Sequence, residues 1–162
     1  MRNKSSNHSK YQFNEESSRK KENKFLTKVY NVLLSKGIII NDKSSDALKN
    51  SPTMILGSIK NASNSSQVYS VMENCNLEVL TTKELIEVID IALKKGWNFN
   101  IKSEKIRSNP KIIMHMFNLN SHKFVGSIYN YNLDALSEND QKIILGYILS
   151  NNYDFRHFIP GN

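Results

Sequence analysis

Two histidines, His115 and His122, are the first residues of this sequence with the chemistry to hold a metal or move a proton. They lie seven residues apart and would share a face only if one helix ran through both. Asn118 to Ser121 between them reads as a helix break. No carboxylate or cysteine stands close enough in sequence to complete a ligand set, so both are read as surface or packed histidines. Asp154 and His157 form a D-x-x-H pair in a turn-like segment, a spacing common by chance. Cys75 is the single cysteine, which excludes an internal disulfide and a cysteine-based metal cluster. No Cys/His catalytic pattern surrounds it, so it reads as a structural thiol. The six glycines, at 37, 57, 96, 126, 146 and 161, are too scattered to cradle a phosphate. No pair of acids stands out. The residues do not predict an enzyme, a cofactor or a metal.

Charge offers more. Lys94, Lys95, Lys102, Lys105, Arg107 and Lys111 are opposed within their segment only by Glu104. Arg19, Lys20, Lys21 and Lys24 make a second basic cluster. Residues 1–28 carry 8 Lys/Arg against 3 Asp/Glu and residues 94–123 carry 7 against 1, while residues 124–162 carry 2 against 4, within a formal net charge of +7. Such segments serve either as solvated surface or as binding surface for an acidic partner, nucleic acid or protein. Trp97, the one tryptophan, suits a binding anchor or a base-stacking platform. It also suits a core, and the pattern described next favours the core.

That pattern centres on Thr81 to Gly96, TTKELIEVIDIALKKG. Thr81 and Glu84 form a capping box. Leu85, Val88, Ile89, Ala92 and Leu93 recur at steps of 3 and 4 on one helical face, and Gly96 supplies a left-handed stop. At an offset of 59, Leu26, Val29, Tyr30, Leu33 and Gly37 repeat the end of this helix. Ile38 and Ile40 then match Trp97 and Phe99, two large residues expected to tuck under the next turn. Ser51-Pro52 matches Asn109-Pro110, each a cap followed by proline at the first helical position. Further helices are expected near Ser65 to Glu73 and His122 to Asn130. Ser137 and Asp140 restate the capping box at an offset of 56, and Asn152-Tyr153-Asp154-Phe155 restates Gly96-Trp97-Asn98-Phe99.

The ordered signature resembles the tandem helical repeats of uncharacterised proteins from low-GC bacteria and their phages. In those repeats a capped helix ending in Gly precedes an "SPxxLRxNPxxxxxSI" run. The matching stretches are Ser44 to Ile59, SSDALKNSPTMILGSI, and Ser103 to Phe117, SEKIRSNPKIIMHMF. The likeness spans roughly residues 25 to 157 and loosens in the second copy, where Ser58-Ile59-Lys60-Asn61 becomes Asn118-Leu119-Asn120. It implies a stacked helical module and no known activity.

The sequence thus predicts an all-α fold, a short stack of helical repeats with a period of about 56–59 residues, two nearly full copies and a truncated third. Residues 1–17 are too polar to fold and are expected to be a disordered basic arm, leaving 18–162 as a single domain. No apolar run approaches the roughly 20 residues of a membrane span, and the N-terminus lacks the apolar core of a signal peptide, so a cytoplasmic protein is expected. The abundance of Asn and Lys, 22 and 18 residues, fits A/T-rich codons. The functional expectation is a noncatalytic protein-protein interaction module, of a size suited to a small accessory or phage-derived regulatory protein. The alternative is a nucleic-acid-binding module using the basic arm and the segment 94–111.

Overall fold

A computed structural model describes residues 22–151, and over them the protein is all-helical, with no strand among the described residues. The α-helices are α1 (Lys24–Ser35), α2 (Asp46–Lys49), α3 (Pro52–Asn61), α4 (Ser65–Asn74), α5 (Thr82–Lys94), α6 (Glu104–Arg107), α7 (Pro110–Leu119), α8 (Ser121–Gly126) and α9 (Glu138–Ser150). Short 3-10 turns stand at Leu77–Val79, Ile128–Asn130 and Leu133–Ala135. The expected arm over 1–17, the cluster Arg19, Lys20 and Lys21, and the segment holding Asn152, Tyr153, Asp154, Phe155 and His157 lie outside the described residues.

Local chemistry accounts for the helix starts. Each of these nine helices begins on an Asn, Ser or Thr whose side-chain oxygen accepts a backbone N–H of the first turn: Asn23, Ser45, Ser51, Asn64, Thr81, Ser103, Asn109, Asn120 and Ser137. Such caps satisfy donors that a helix leaves unpaired, each contributing about 1 kcal/mol. Thr81 and Glu84 complete the expected box in both directions, at 3.1 and 3.0 Å. Pro52 and Pro110 both occupy the first turn of their helices. Gly37 and Gly96 end α1 and α5 at φ of 83° and 100°. The next N–H folds back in both cases, Ile38 to the Leu33 carbonyl and Trp97 to that of Ala92, at 3.1 and 3.0 Å.

The chain divides into two compact units at Asn98/Phe99, within the run Trp97-Asn98-Phe99. In the first unit α1 and α5 both pack against α3. Met54, Ile55 and Ile59 of α3 are fully buried, as are Leu85, Val88, Ile89 and Ala92 of α5. Gly57 lets α1 come close: a Cβ there would stand 2.2 Å from a methyl of Leu34. The Ile40 N–H donates to the buried Ser58 hydroxyl at 3.0 Å. Glu22 accepts hydrogen bonds from the hydroxyls of Ser51 and Thr53 at the start of α3 and, at 3.0 Å, from that of Thr27. The Asn76 N–H reaches the Lys49 carbonyl at 2.9 Å.

In the second unit the core is aromatic. Phe124 is fully buried, with ring centroids 6.3 Å from Phe99, 6.1 Å from Phe117 and 5.1 Å from Tyr131. The first two contacts are edge-to-face, the arrangement that ring quadrupoles favour. The Tyr131 hydroxyl donates to the Phe99 carbonyl, so the polar atom that this ring carries inside has a partner. The Asn132 N–H reaches the Arg107 carbonyl at 3.0 Å.

Two sequence expectations change. The helix expected over His122 to Asn130 stops at Gly126 and tightens into the 3-10 turn Ile128–Asn130. Ile38 does not tuck under a turn: it is 42% exposed, whereas Trp97 at the matching position is 2% exposed. The difference has a local cause. A Cβ on Gly96 would meet the Ser65 side chain of α4 at 3.0 Å, while around Gly37 a Cβ would meet nothing within 4 Å. The stop of α5 abuts another helix, whereas the stop of α1 at Gly37 faces no neighbour.

Candidate functional site

The predicted basic residues divide between the two units. Lys94 and Lys95 belong to the first unit, and Lys102, Lys105, Arg107 and Lys111 to the second. Lys95 is engaged within the first unit. Its ammonium donates to the carbonyls of Ile59, Lys60 and Ala62 at 3.0, 2.8 and 2.9 Å. It thus caps the C-terminal end of α3, where carbonyls lack helical partners and the helix dipole favours a cation. Arg107 is half-buried, 3.5 Å from Glu104. Lys105 is half-buried as well, while Lys94, Lys102 and Lys111 are exposed. Lys24 is exposed in the first turn of α1.

The two histidines fall on separate helices, because Asn120 ends α7 and caps α8. His115 is half-buried on the first and His122 exposed on the second. No three of the His, Cys, Asp and Glu side chains come together as a metal site among the described residues. No helix among them is long and apolar enough to cross a membrane.

Cys75, at the end of α4, retains part of its surface, yet burial of its thiol pushes the pKa up to about 12. Burial also raises Tyr131, opposed by the nearby Arg107 charge. Both groups stay neutral in the fold at pH values where the unfolded chain ionises. Their ordinary values are 9.0 and 10.0. Stability is therefore untouched by them below about pH 9 and falls as pH rises through 9 to 12, by up to about 1.4 kcal/mol per pH unit for each group. Thermal melts between pH 8 and 11 are expected to show this decline, with Cys75→Ala delaying its onset toward pH 10. A flat melting temperature to pH 11 would contradict it.

What the second unit does present is an apolar groove of about 370 Å³, lined by Ile128, Leu133, Asp134, Leu136, Gln141, Ile144, Leu145 and Ile148. The 3-10 turn Leu133–Ala135 forms one wall and α9 the other. Gln141 is held in place, its amide donating to the Leu133 carbonyl at 2.8 Å. Asp134 is the charged group on the rim. Beside the groove Leu145 and Leu149 of α9 are 48% and 55% exposed. Its lining is apolar apart from Asp134 and Gln141, the composition of a site that buries apolar groups.

Sequence reasoning did not find this groove. Its signal was available in α9, where Ile143, Ile144, Leu145, Tyr147, Ile148 and Leu149 surround the helix instead of keeping to one stripe. No protein-family model matches the chain, and neither a curated protein nor a solved structure matches it.

Proposed function

We propose that the protein is a noncatalytic protein-interaction module, a short stack of helical repeats that binds its partner along α9. The observation that carries this reading is the apolar groove with Leu145 and Leu149 exposed at its edge. Large apolar groups left together on a surface mark a contact to be covered. The repeat itself is supported by hydrogen bonds at matching places. Asn76 to Lys49 corresponds to Asn132 to Arg107, at 2.9 and 3.0 Å. The amide of Asn76 reaches Asn50 and that of Asn132 reaches Ser108. The caps Ser45, Ser51, Asn64 and Thr81 correspond to Ser103, Asn109, Asn120 and Ser137.

A photo-reactive amino acid at position 149 tests the reading, with one at Lys102 as comparison. Irradiation in a cell extract is expected to give protein adducts at 149 that Leu145→Glu removes. Adducts to nucleic acid at position 102, with none to protein at 149, would favour the alternative reading. That alternative rests on Lys102 and Lys111 remaining exposed in the second unit, and it requires affinity that falls steeply with salt.

A further inference from the structure

Three helices occupy the same place in the repeat pattern, α1, α5 and α9, and only α5 is covered on both sides. Val88 and Ile89 point to opposite flanks of its apolar arc, and both are fully buried. On α1 the counterpart of Ile89, Tyr30, is buried, while the counterpart of Val88, Val29, is only half-buried. Next to Val29 on that same flank, Phe25 and Val32 are 72% and 51% exposed. On α9 the situation is reversed. The counterpart of Val88, Ile144, is buried, and that of Ile89, Leu145, is exposed together with Leu149. Each helix lacks the half that the other possesses.

We infer that the occupant of the α9 face is a second copy of this chain, which docks its α1 flank, Phe25 and Val32, against Leu145 and Leu149. The inference rests on the interaction-module reading and names its partner. Charge agrees with the pairing. α1 carries Lys24 and Lys28 and no acid, with Lys36 exposed as its cap. Asp134, Glu138 and Asp140 stand around the start of α9, with Lys142 the one cation among them. The two halves of the contact come from different surfaces of the chain, so the association is heterologous, closing into a ring or extending as a chain of copies. Opposite charges at its margins would add speed and register more than strength.

Analytical ultracentrifugation of the full chain is the test. The weight-average mass is expected to rise above 18.6 kDa with concentration, and to rise less at high salt. Phe25→Glu and Leu149→Glu should each sediment as monomers. Mixed in equal amounts they should recover a species of twice the monomer mass, because each retains the surface that the other has lost. Far-UV circular dichroism confirms folding first, and both side chains are exposed, so both variants should pass. Should either misfold, Phe25→Cys and Leu149→Cys chains in a Cys75→Ala background replace them. A short bismaleimide should then link unlike chains many-fold more than like ones. A monomer at every concentration, or variants whose mixture stays monomeric, would overturn the proposal, as would bismaleimide linkage no greater between unlike chains than between like ones. A monomer that still forms adducts at position 149 with a different protein would overturn it while leaving the interaction-module reading standing; no protein adduct at all would sink both.

Discussion

Trp97→Ala is expected to lower the unfolding free energy by about 3–5 kcal/mol, the usual cost of removing a large buried aromatic. The residue is 2% exposed, and its backbone N–H closes the end of α5 on the Ala92 carbonyl at 3.0 Å. Alanine keeps that backbone bond and deletes the ring, so the loss falls on burial and the void left behind. As the only tryptophan, it also reports its own surroundings. Its emission in the folded protein should lie well to the blue of the unfolded chain. Urea unfolding followed by circular dichroism gives the energy. A change below about 1 kcal/mol, or native emission at the wavelength of solvated tryptophan, would assign Trp97 to a surface.

Phe124→Ala should cost a similar amount in the second unit, again about 3–5 kcal/mol. Three aromatic rings meet Phe124, which has no exposed surface. Each such pair adds about 0.5–1.5 kcal/mol beyond area burial, which places this site at the upper part of the range. Two comparisons isolate the cause. Phe124→Leu, which keeps most of the volume but loses the three ring contacts, should cost less than Phe124→Ala and more than a change at an exposed position. Phe25→Ala, at an exposed position, should change stability by about 0.5 kcal/mol or less. Equal effects of all three substitutions in urea titrations would refute the account.

The features visible in the sequence are those set by neighbours along the chain. Helix caps at Ser51, Thr81, Asn109 and Ser137, proline at the first turn of α3 and α7, and glycine stops at 37 and 96 all act over a few residues. Trp97 is buried after one such stop, as the pattern predicts, while Ile38 after the other is not. Contacts between distant segments left no such trace. Lys95 reads as one more surface cation because the carbonyls it binds lie 33 to 36 residues earlier. Glu22 likewise meets Ser51 and Thr53 from 29 and 31 residues away. The groove depends on how a 3-10 turn leans on α9, and periodicity describes one helix at a time. The mismatch at Ile38 has the same origin: equal positions in a pattern do not guarantee equal neighbours.

The row of side-chain caps has a consequence for how such a sequence drifts. An N-cap asks only for a short side chain with an acceptor oxygen, and Asn and Ser serve about equally well. Their codons can differ by a single base, so exchange between them at a cap is close to neutral. Both residues already serve the same post in this chain, Ser51 before the proline of α3 and Asn109 before that of α7. A mutational bias toward A/T-rich codons can therefore load this protein with asparagine while the places where its helices begin stay fixed.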